Sequence, residues 1–147
     1  GEAIEYVRKL LAPQERMRDV TLDMPRLTAP VHVPIDTGGL TQLLINLLLN
    51  AADAMAGRGR VRVSVERRQA RVSICVEDSG PGVPAALRER VFEPFFTTKP
   101  AGRGTGLGLS VCERVVSAAG GDITLEESDL GGARFRITLP VSGSPEL

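Results

Sequence analysis

The sequence predicts a two-layer α/β sandwich, in which about three helices cover one face of a mixed, mostly antiparallel sheet of about five strands. Residues 60–66 and 71–77 each place Val or Ile at every second position, and the turn between them predicts an antiparallel hairpin. Residues 43–55 form an apolar run without proline, which predicts a buried helix. Because strands and helices do not alternate strictly, the pattern disfavours a doubly wound parallel sheet.

The spacing of apolar residues places the other elements along the chain. Helices repeat apolar residues three or four positions apart, and strands repeat them at every second position. The predicted helices span 2–11, 39–55 with a cap at Asp36 and Thr37, a short segment at 85–91, and 104–119. The predicted strands span 20–24, 29–34, 60–66, 71–77, 123–126 and 134–139. Two prolines in 29–34 place that strand at a sheet edge or make it short.

Two segments lack any periodic pattern. Residues 93–104 contain two prolines and two glycines, which predicts a loop that acts as a mobile lid. The Ser- and Pro-containing residues 142–147 predict a frayed tail.

Composition excludes several classes of protein. With 147 residues, the chain is long enough for one domain with a core but not for two. Its zero net charge gives no basic field for nucleic acid. The longest apolar run is too short to span a bilayer, and the first residues lack the pattern of a secretory signal. A start at Gly1 rather than at methionine predicts an excised part of a longer protein.

The cysteines and the histidine do not form a reactive cluster in the sequence. Cys75 and Cys112 stand among apolar residues, so we expect buried free thiols of a reducing compartment. His32 is the only histidine, and its place in a predicted strand favours an ordinary structural residue over a catalytic one.

Three polar residues interrupt the central apolar helix. Asn46, Asn50 and Asp53 are spaced i, i+4 and i+7, so they share one helix face. Polar groups in a buried helix need partners, since each unpaired group costs roughly 1–3 kcal/mol. Either they bond to nearby backbone, or the face lines a ligand cleft.

Two glycine-containing motifs could contact a ligand. Asp78, Gly80 and Gly82 follow a strand; a carboxylate there could accept from the exocyclic amine of a purine, and the glycines would admit a flat base. A plain turn explains the same residues. Gly104–Leu109 opens a helix with free amides that suit phosphate, although it matches neither the P-loop nor the dinucleotide fingerprint.

Taken together and in this order, the motifs resemble the ATP-binding catalytic domain of bacterial sensor histidine kinases, in the GHKL or Bergerat-fold ATPase superfamily. The resemblance covers about 20–140. The motif N-L-L-L-N-A-A-D-A (46–54) matches the N box, D-S-G-P-G (78–82) and G-T-G-L-G-L (104–109) the two glycine boxes, V-F-E-P-F-F (91–96) the F box, and G-G-A-R-F-R-I-T-L-P (131–140) the closing hairpin. The sequence T-T-K after the F box and the short lid are most similar to the nitrogen-regulation type.

The resemblance implies ATP and Mg²⁺ as cofactors. Asn46 and Asn50 would offer side-chain oxygens to Mg²⁺, which binds few protein ligands. Asp78 would read the adenine amine. Lys99 and Arg103 would reach the terminal phosphates and act with Asn46 in catalysis. The implied ATP-binding residues are Asn50, Asp53, Ala54, Asp78, Gly80, Gly82, Val83, Phe95, Phe96, Thr97, Thr98, Gly104, Thr105, Gly106, Leu107, Gly108 and Leu109.

Asn46 bears on the choice between a kinase and a hydrolase. Related gyrases and chaperones carry a glutamate at this position, where it acts as a base on water. An amide does not accept a proton near neutral pH, so the resemblance implies a protein histidine kinase. The family's phosphoacceptor histidine lies on a separate helical domain before an acidic residue, whereas Val33 and Pro34 follow His32. The acceptor is therefore expected on another domain.

The resemblance also implies domain boundaries and partners. We expect 1–14 to be the remnant of a linker helix from a missing dimerisation and phosphoacceptor domain, 15–141 the catalytic domain, and 142–147 a flexible tail. The expected partners are that dimerisation domain and, through it, a response regulator, without nucleic acid or direct membrane contact. The fragment is expected to be monomeric and the whole protein a homodimer, in the cytoplasm or as the cytoplasmic part of a membrane receptor.

Two alternatives remain open. An anti-sigma-factor-type serine kinase of the same superfamily would phosphorylate serine, although the F box and the upstream helix favour the histidine kinase. A nucleotide-binding scaffold without catalysis is disfavoured because all the motifs are intact.

Overall fold

A computed structural model of the chain describes residues 2–11, 13, 17–25, 32–93 and 108–141. Within these residues, three α-helices and five strands follow one another, with two short 3-10 turns before the third helix. The helices are α1 (Glu2–Leu11), α2 (Thr37–Ala54) and α3 (Gly108–Ala118). The strands are β1 (Asp19–Asp23), β2 (Arg58–Arg68), β3 (Arg71–Asp78), β4 (Asp122–Glu127) and β5 (Ala133–Pro140).

The five strands form one sheet in the order β1-β2-β3-β5-β4. Only β1 and β2 run parallel, and the other neighbours are antiparallel. The register pairs Val63 with Val76 and Ile74 with Ile137, which puts the apolar positions of three strands on one face. The predicted mixed, mostly antiparallel sheet of a two-layer sandwich is confirmed.

The core lies between that face of the sheet and the helices. Helix α2 packs on β2 and β3, while α1 and α3 pack against α2. The buried face of α2 is mostly leucine, and α1 adds its own apolar side to the same core. The largest fully buried side chains include Ile4, Leu40, Leu43, Leu44, Leu47, Leu48, Ile74, Ile137 and Leu139.

The ends of α2 follow from local chemistry. Asp36 is the N-cap, and its carboxylate accepts a hydrogen bond from the Gly39 amide at 2.6 Å, as predicted. The helix begins at Thr37 rather than near Gly39. It ends where Ala56 adopts a left-handed φ of 55° and the Gly57 amide donates to the Ala52 carbonyl.

The prediction that the central helix is buried holds on one side of α2 only. Ile45 and Leu49 are only half-buried, as are Asn46, Asn50 and Asp53 beside them. The leucines on the opposite side cover the sheet, and the side that carries the amides, called the open face below, is partly exposed. The helix is therefore amphipathic, with its polar face turned away from the core.

Two other predicted elements differ in the structure. Residues 29–31 of the candidate strand lie outside the described part, and of residues 32–34 only His32 forms a single bridge. Pro34 has no N–H to extend a ladder. The predicted helix at 85–91 is instead two 3-10 turns, Ala85–Leu87 and Arg90–Phe92. Val91 and Phe92 are buried there, and the Phe92 ring meets Phe135 edge-on with centroids 6.1 Å apart.

Candidate functional site

Asp78 is the last residue of β3, and it is buried, with only 3% of its surface exposed. Its Oδ1 accepts two backbone hydrogen bonds, one from Gly80 N at 2.9 Å and one from Ala133 N at 3.2 Å. Burial raises the pKa of Asp78 above its ordinary value of 3.8, and the two hydrogen bonds offset part of that rise. Oδ1 is thus anchored to the protein, and its partner Oδ2 is the oxygen that a ligand would meet.

The structure favours glycine at both positions 80 and 82, but for different reasons. Gly82 has φ of +76°, a conformation that side chains disfavour. At Gly80 a Cβ would lie 3.1 Å from Asp78 Oδ1 and 3.1 Å from Met55 Cγ. The turn therefore sits tightly against the C-terminal end of α2, which brings the first glycine motif next to the motif on the helix.

Ser79, which is not one of the predicted site residues, strengthens the same junction. Its hydroxyl accepts from the Arg60 amide at 2.9 Å and donates to Met55 Sδ at 3.5 Å. The Ser79 amide donates to the Arg60 carbonyl at 3.0 Å. A serine within a turn gives no signal of these partners, because they come from β2 and α2.

The polar face of α2 lies on the open side of the helix. Asn46 Oδ1 accepts from Gln42 Nε2 at 2.9 Å, one helical turn earlier. A second hydrogen bond joins the side chains of Asn46 and Cys112 in α3. Both of these partners of Asn46 are side chains, and Cys112 joins α2 to the helix that follows the second glycine motif.

Both cysteines are buried free thiols, as predicted. Burial raises the pKa of Cys112 to about 11, and its hydrogen bond with Asn46 offsets part of that rise. Burial also raises the pKa of Cys75, on the face of the sheet away from the helices. Neither thiol is thus activated as a nucleophile near neutral pH.

The remaining described residues of the predicted site lie around this junction. Ala54 is the exposed last residue of α2, and its carbonyl lies 3.5 Å from where a Gly80 Cβ would stand. Val83 is half-buried, and its carbonyl accepts from Arg88 Nε at 3.3 Å. Gly108 and Leu109 begin α3, the first exposed and the second packed partly against the core.

The other predicted site residues lie outside the described part of the chain, and so do most of the lid and the second half of the F box, 94–96. Their roles, and the assignment to the nitrogen-regulation type, stay predictions. These residues are Phe95, Phe96, Thr97, Thr98, Lys99, Arg103, Gly104, Thr105, Gly106 and Leu107.

A charged network covers the opposite face of the sheet next to Asp78. The Glu77 carboxylate is buried and accepts from Arg62 at 2.8 and 3.0 Å, from Arg134 at 2.9 Å and from Ser128 at 3.1 Å. Burial alone would raise the pKa of Glu77, but the hydrogen bonds from Arg62, Arg134 and Ser128 outweigh it and hold the pKa below its ordinary value. This network fixes the end of the strand that carries Asp78.

In the part of the chain that the structure describes, no helix is both long enough and apolar enough to cross a membrane.

Within the described residues, His32 Nδ1 is the one buried side-chain nitrogen or oxygen that lacks a hydrogen-bond partner.

Known proteins resemble this chain in both sequence and fold. The chain is 37% identical over 139 residues to the sensor histidine kinase ZraS of Escherichia coli O157:H7, covering 95% of this chain but 30% of that protein. The nucleotide-free catalytic domain of the histidine kinase ThkA superposes with a TM-score of 0.83 at 34% identity, covering 95% of this chain and 90% of that domain. ThkA in complex with the response regulator protein TrrA gives a TM-score of 0.80 at 30% identity, covering 96% of this chain and 40% of that one.

A family profile agrees with these likenesses. It describes histidine kinase-, DNA gyrase B- and HSP90-like ATPases, and it matches residues 35–143, from before the α2 cap to beyond β5. The matched region includes Asp78, the polar face of α2 and the start of α3. The chain therefore belongs to the histidine kinase-, DNA gyrase B- and HSP90-like ATPase family, and within it to the catalytic domains of sensor histidine kinases.

Proposed function

We propose that this chain binds Mg²⁺·ATP and transfers the γ-phosphoryl group to a histidine on a separate dimerisation domain. The observation that carries the proposal is the geometry of Asp78. Two backbone amides hold Oδ1 of a buried carboxylate, so Oδ2 is available to one further donor. The exocyclic amine of adenine is such a donor, whereas guanine and hypoxanthine present a carbonyl oxygen at that position.

Asn46 and Asn50 fit Mg²⁺ by the chemistry of their donors. Their amides lie one turn apart on the open face of α2, and amide oxygens are hard ligands that suit this cation. The bond from Gln42 occupies one lone pair of Asn46 Oδ1 and leaves the second for a metal. When bound, Mg²⁺ would neutralise charge on the ATP phosphates, while Lys99 and Arg103 would contact the terminal phosphate.

The choice of phosphoryl transfer over hydrolysis rests on Asn46. A general base would have to stand here to activate water, and an amide does not take up a proton near neutral pH. The neighbouring thiol of Cys112 is equally unsuited, because its raised pKa keeps it protonated. We therefore expect water to attack slowly and a nucleophile from another domain to accept the phosphoryl group.

His32 is a poor candidate for that nucleophile. Its Nδ1 is buried without a hydrogen-bond partner, and the residue sits in a single bridge just before α2. In-line transfer needs the nucleophile close to the γ-phosphate. The acceptor is thus proposed to lie on a dimerisation domain that precedes this chain in the whole protein, with residues 1–14 as the end of its linker, 15–141 as the catalytic domain and 142–147 as a tail.

The wider assembly is proposed from the relatives. ThkA is known in complex with a response regulator, so the partner that finally receives the phosphoryl group here is proposed to be a response regulator. The whole protein is proposed to be a homodimer that works at the cytoplasmic side, with this domain monomeric on its own. Nucleic acid and membrane are not among its proposed partners.

A transfer assay with separated domains tests the proposal. The chain alone, incubated with ATP labelled at the γ-phosphate, is expected to hydrolyse it slowly and to stay unlabelled. Adding the separately expressed dimerisation domain is expected to give label on that partner that acid removes and base does not, as phosphohistidine requires. The measurement is the labelled band before and after acid treatment.

Three outcomes would contradict the proposal. Stoichiometric self-labelling that His32→Gln abolishes would make His32 the acceptor. Acid-stable label on serine of a protein partner would identify the anti-sigma type of kinase. ATP binding without turnover on any partner would indicate a nucleotide-binding scaffold.

Asn50→Ala tests the metal site. Because the side chain is half-buried and outside the leucine core, its loss should lower stability by no more than about 1 kcal/mol and leave the melting temperature within a few degrees. Affinity for ATP in the presence of Mg²⁺ should fall, while the weak affinity in the presence of a chelator should not change. Calorimetry with and without Mg²⁺ measures both. An unchanged metal-dependent affinity with a lowered melting temperature would make Asn50 a structural residue.

A further inference from the structure

The turn between β4 and β5 closes over the end of β3. Gly132 N donates to the Asp78 carbonyl at 3.1 Å, and the next amide, Ala133 N, donates to Asp78 Oδ1 at 3.2 Å. Two consecutive amides therefore hold the backbone and the side chain of the same residue. The turn that follows Asp78 also contacts the β4–β5 turn, since a Gly82 Cβ would lie 3.6 Å from the Gly132 carbonyl carbon.

Gly132 is a glycine because of space rather than backbone conformation. Its φ is not in the left-handed region, unlike that of Gly131 at +103°. A Cβ on Gly132 would overlap Asp78 Oδ1, and it would lie 2.6 Å from the Asp78 carbonyl oxygen and 2.7 Å from Gly80 N. Oδ1 and Gly80 N form the carboxylate anchor, and the Asp78 carbonyl accepts from Gly132 N itself, so any side chain here would displace that anchor.

Ser128 ties this turn to the sheet. Its amide donates to the Gly132 carbonyl at 2.8 Å, and its hydroxyl accepts from the Leu130 amide at 3.0 Å. The same hydroxyl donates to Glu77 Oε1 at 3.1 Å, and Glu77 is the neighbour of Asp78 in the strand. The position of Gly132 relative to Asp78 is thus held from both faces of the sheet.

We propose that Gly132 is a positioning residue that determines base selectivity, because it fixes Asp78 Oδ1 and thereby aims Oδ2 at the exocyclic amine of the base. The inference rests on the proposed function, that is, on ATP binding through Asp78. Gly132 acts through Asp78 and does not itself touch the base. Selectivity for an amine over a carbonyl at that position of the purine is the property it controls.

A pair of neighbouring glycine substitutions tests this role. Gly132→Ala places a methyl group against the anchor, whereas Gly131→Ala strains a left-handed residue that has no atom within 4 Å of its Cβ. The readout is the dissociation constant for ATP and for inosine triphosphate, which carries a carbonyl in place of the amine. A structural defect alone would change both constants together, but misplacement of Asp78 should change their ratio.

Gly132→Ala is expected to weaken ATP binding by about tenfold and inosine triphosphate binding by less than about threefold, the loss of one hydrogen bond to a charged group. Gly131→Ala is expected to lower the melting temperature and keep the wild-type ratio. If Gly132→Ala does not fold, Ser128→Ala replaces it, and this looser turn should reduce the ratio by about threefold, a smaller part of the same interaction.

The outcomes separate the two proposals. If the wild-type chain binds ATP no better than inosine triphosphate, the role of Asp78 in the proposed function is wrong. If the wild type prefers ATP and the folded Gly132→Ala variant keeps that preference, the role of Gly132 alone is overturned. A wild-type ratio in Ser128→Ala, when Gly132→Ala is unfolded, overturns it equally.

Discussion

Asp78→Asn is expected to weaken ATP binding by about tenfold to a hundredfold, since a hydrogen bond to a charged group contributes roughly 1.5–3 kcal/mol. The same variant should bind inosine triphosphate more tightly than the wild type does. Asparagine has nearly the same shape as aspartate, so the fold and the pocket should be retained. Calorimetric titration with the two nucleotides measures the change.

The reason lies in how the structure holds the carboxylate. The amides of Gly80 and Ala133 both donate to Oδ1, so the asparagine must keep its own oxygen there. Its NH₂ group then occupies the position of Oδ2, where it would face the adenine amine as a second donor. Towards the carbonyl of hypoxanthine the same NH₂ group is a suitable partner, which gives the expected reversal of preference.

Asp129→Asn is a matched control, because it removes one negative charge from the neighbouring turn. Asp129 is 85% exposed and lies 3.6 Å from Arg134, so its loss should leave both affinities within about twofold. Unchanged nucleotide preference in Asp78→Asn would show that Oδ2 does not contact the base.

Since burial raises the pKa of Asp78, ATP affinity of the wild type should fall as the pH is lowered through that raised value.

Glu77→Gln is expected to lower the free energy of unfolding by about 3 kcal/mol, the lower end of the cost of breaking a buried ion pair. The carboxylate is 4% exposed and accepts from two arginines and Ser128. An amide offers one acceptor oxygen and presents N–H groups to donors. The cost stays near the lower end because Arg62 is 36% exposed and keeps contact with water. Denaturant unfolding monitored by circular dichroism measures it.

The pH dependence of this difference has a definite sign. The folded pKa of Glu77 is held below its ordinary value of 4.5, so the unfolded chain binds its proton first as the pH falls. The stabilisation is therefore complete above pH 4.5 and is lost as the pH falls through the folded pKa. Wild type and variant should differ most near neutral pH and converge in acid.

Glu126→Gln provides the comparison on the same face of the sheet. Glu126 pairs with Arg134 and Arg136 but is 39% exposed, so its loss should cost less than about 1 kcal/mol. Equal destabilisation by the two variants would mean that burial of Glu77 contributes nothing beyond a surface ion pair.

Secondary structure followed from the sequence where periodicity and capping act locally. The alternating valines of β2 and β3 and the cap at Asp36 were predicted, since their signals lie within a few neighbouring residues. Of the strand expected at 29–34, the described residues 32–34 form only a single bridge, because Pro34 cannot extend a ladder, and 29–31 lie outside the described part. The single helix expected at 85–91 was wrong, because this segment divides into two 3-10 turns. Short segments have few periodic positions, so their local signal is weak.

By itself, the sequence determined the fold class, the family motifs and the residues that carry them, because apolar patterning selects one face for each strand and helix. Only the tertiary structure decided that the amides of α2 lie on an open face, that Asn46 meets Cys112, and that Gly132 holds Asp78. These contacts join residues of different elements, such as Gly132 N and the Asp78 carbonyl at 3.1 Å. Local pattern carries no information on such pairs, since strand register and helix packing bring them together.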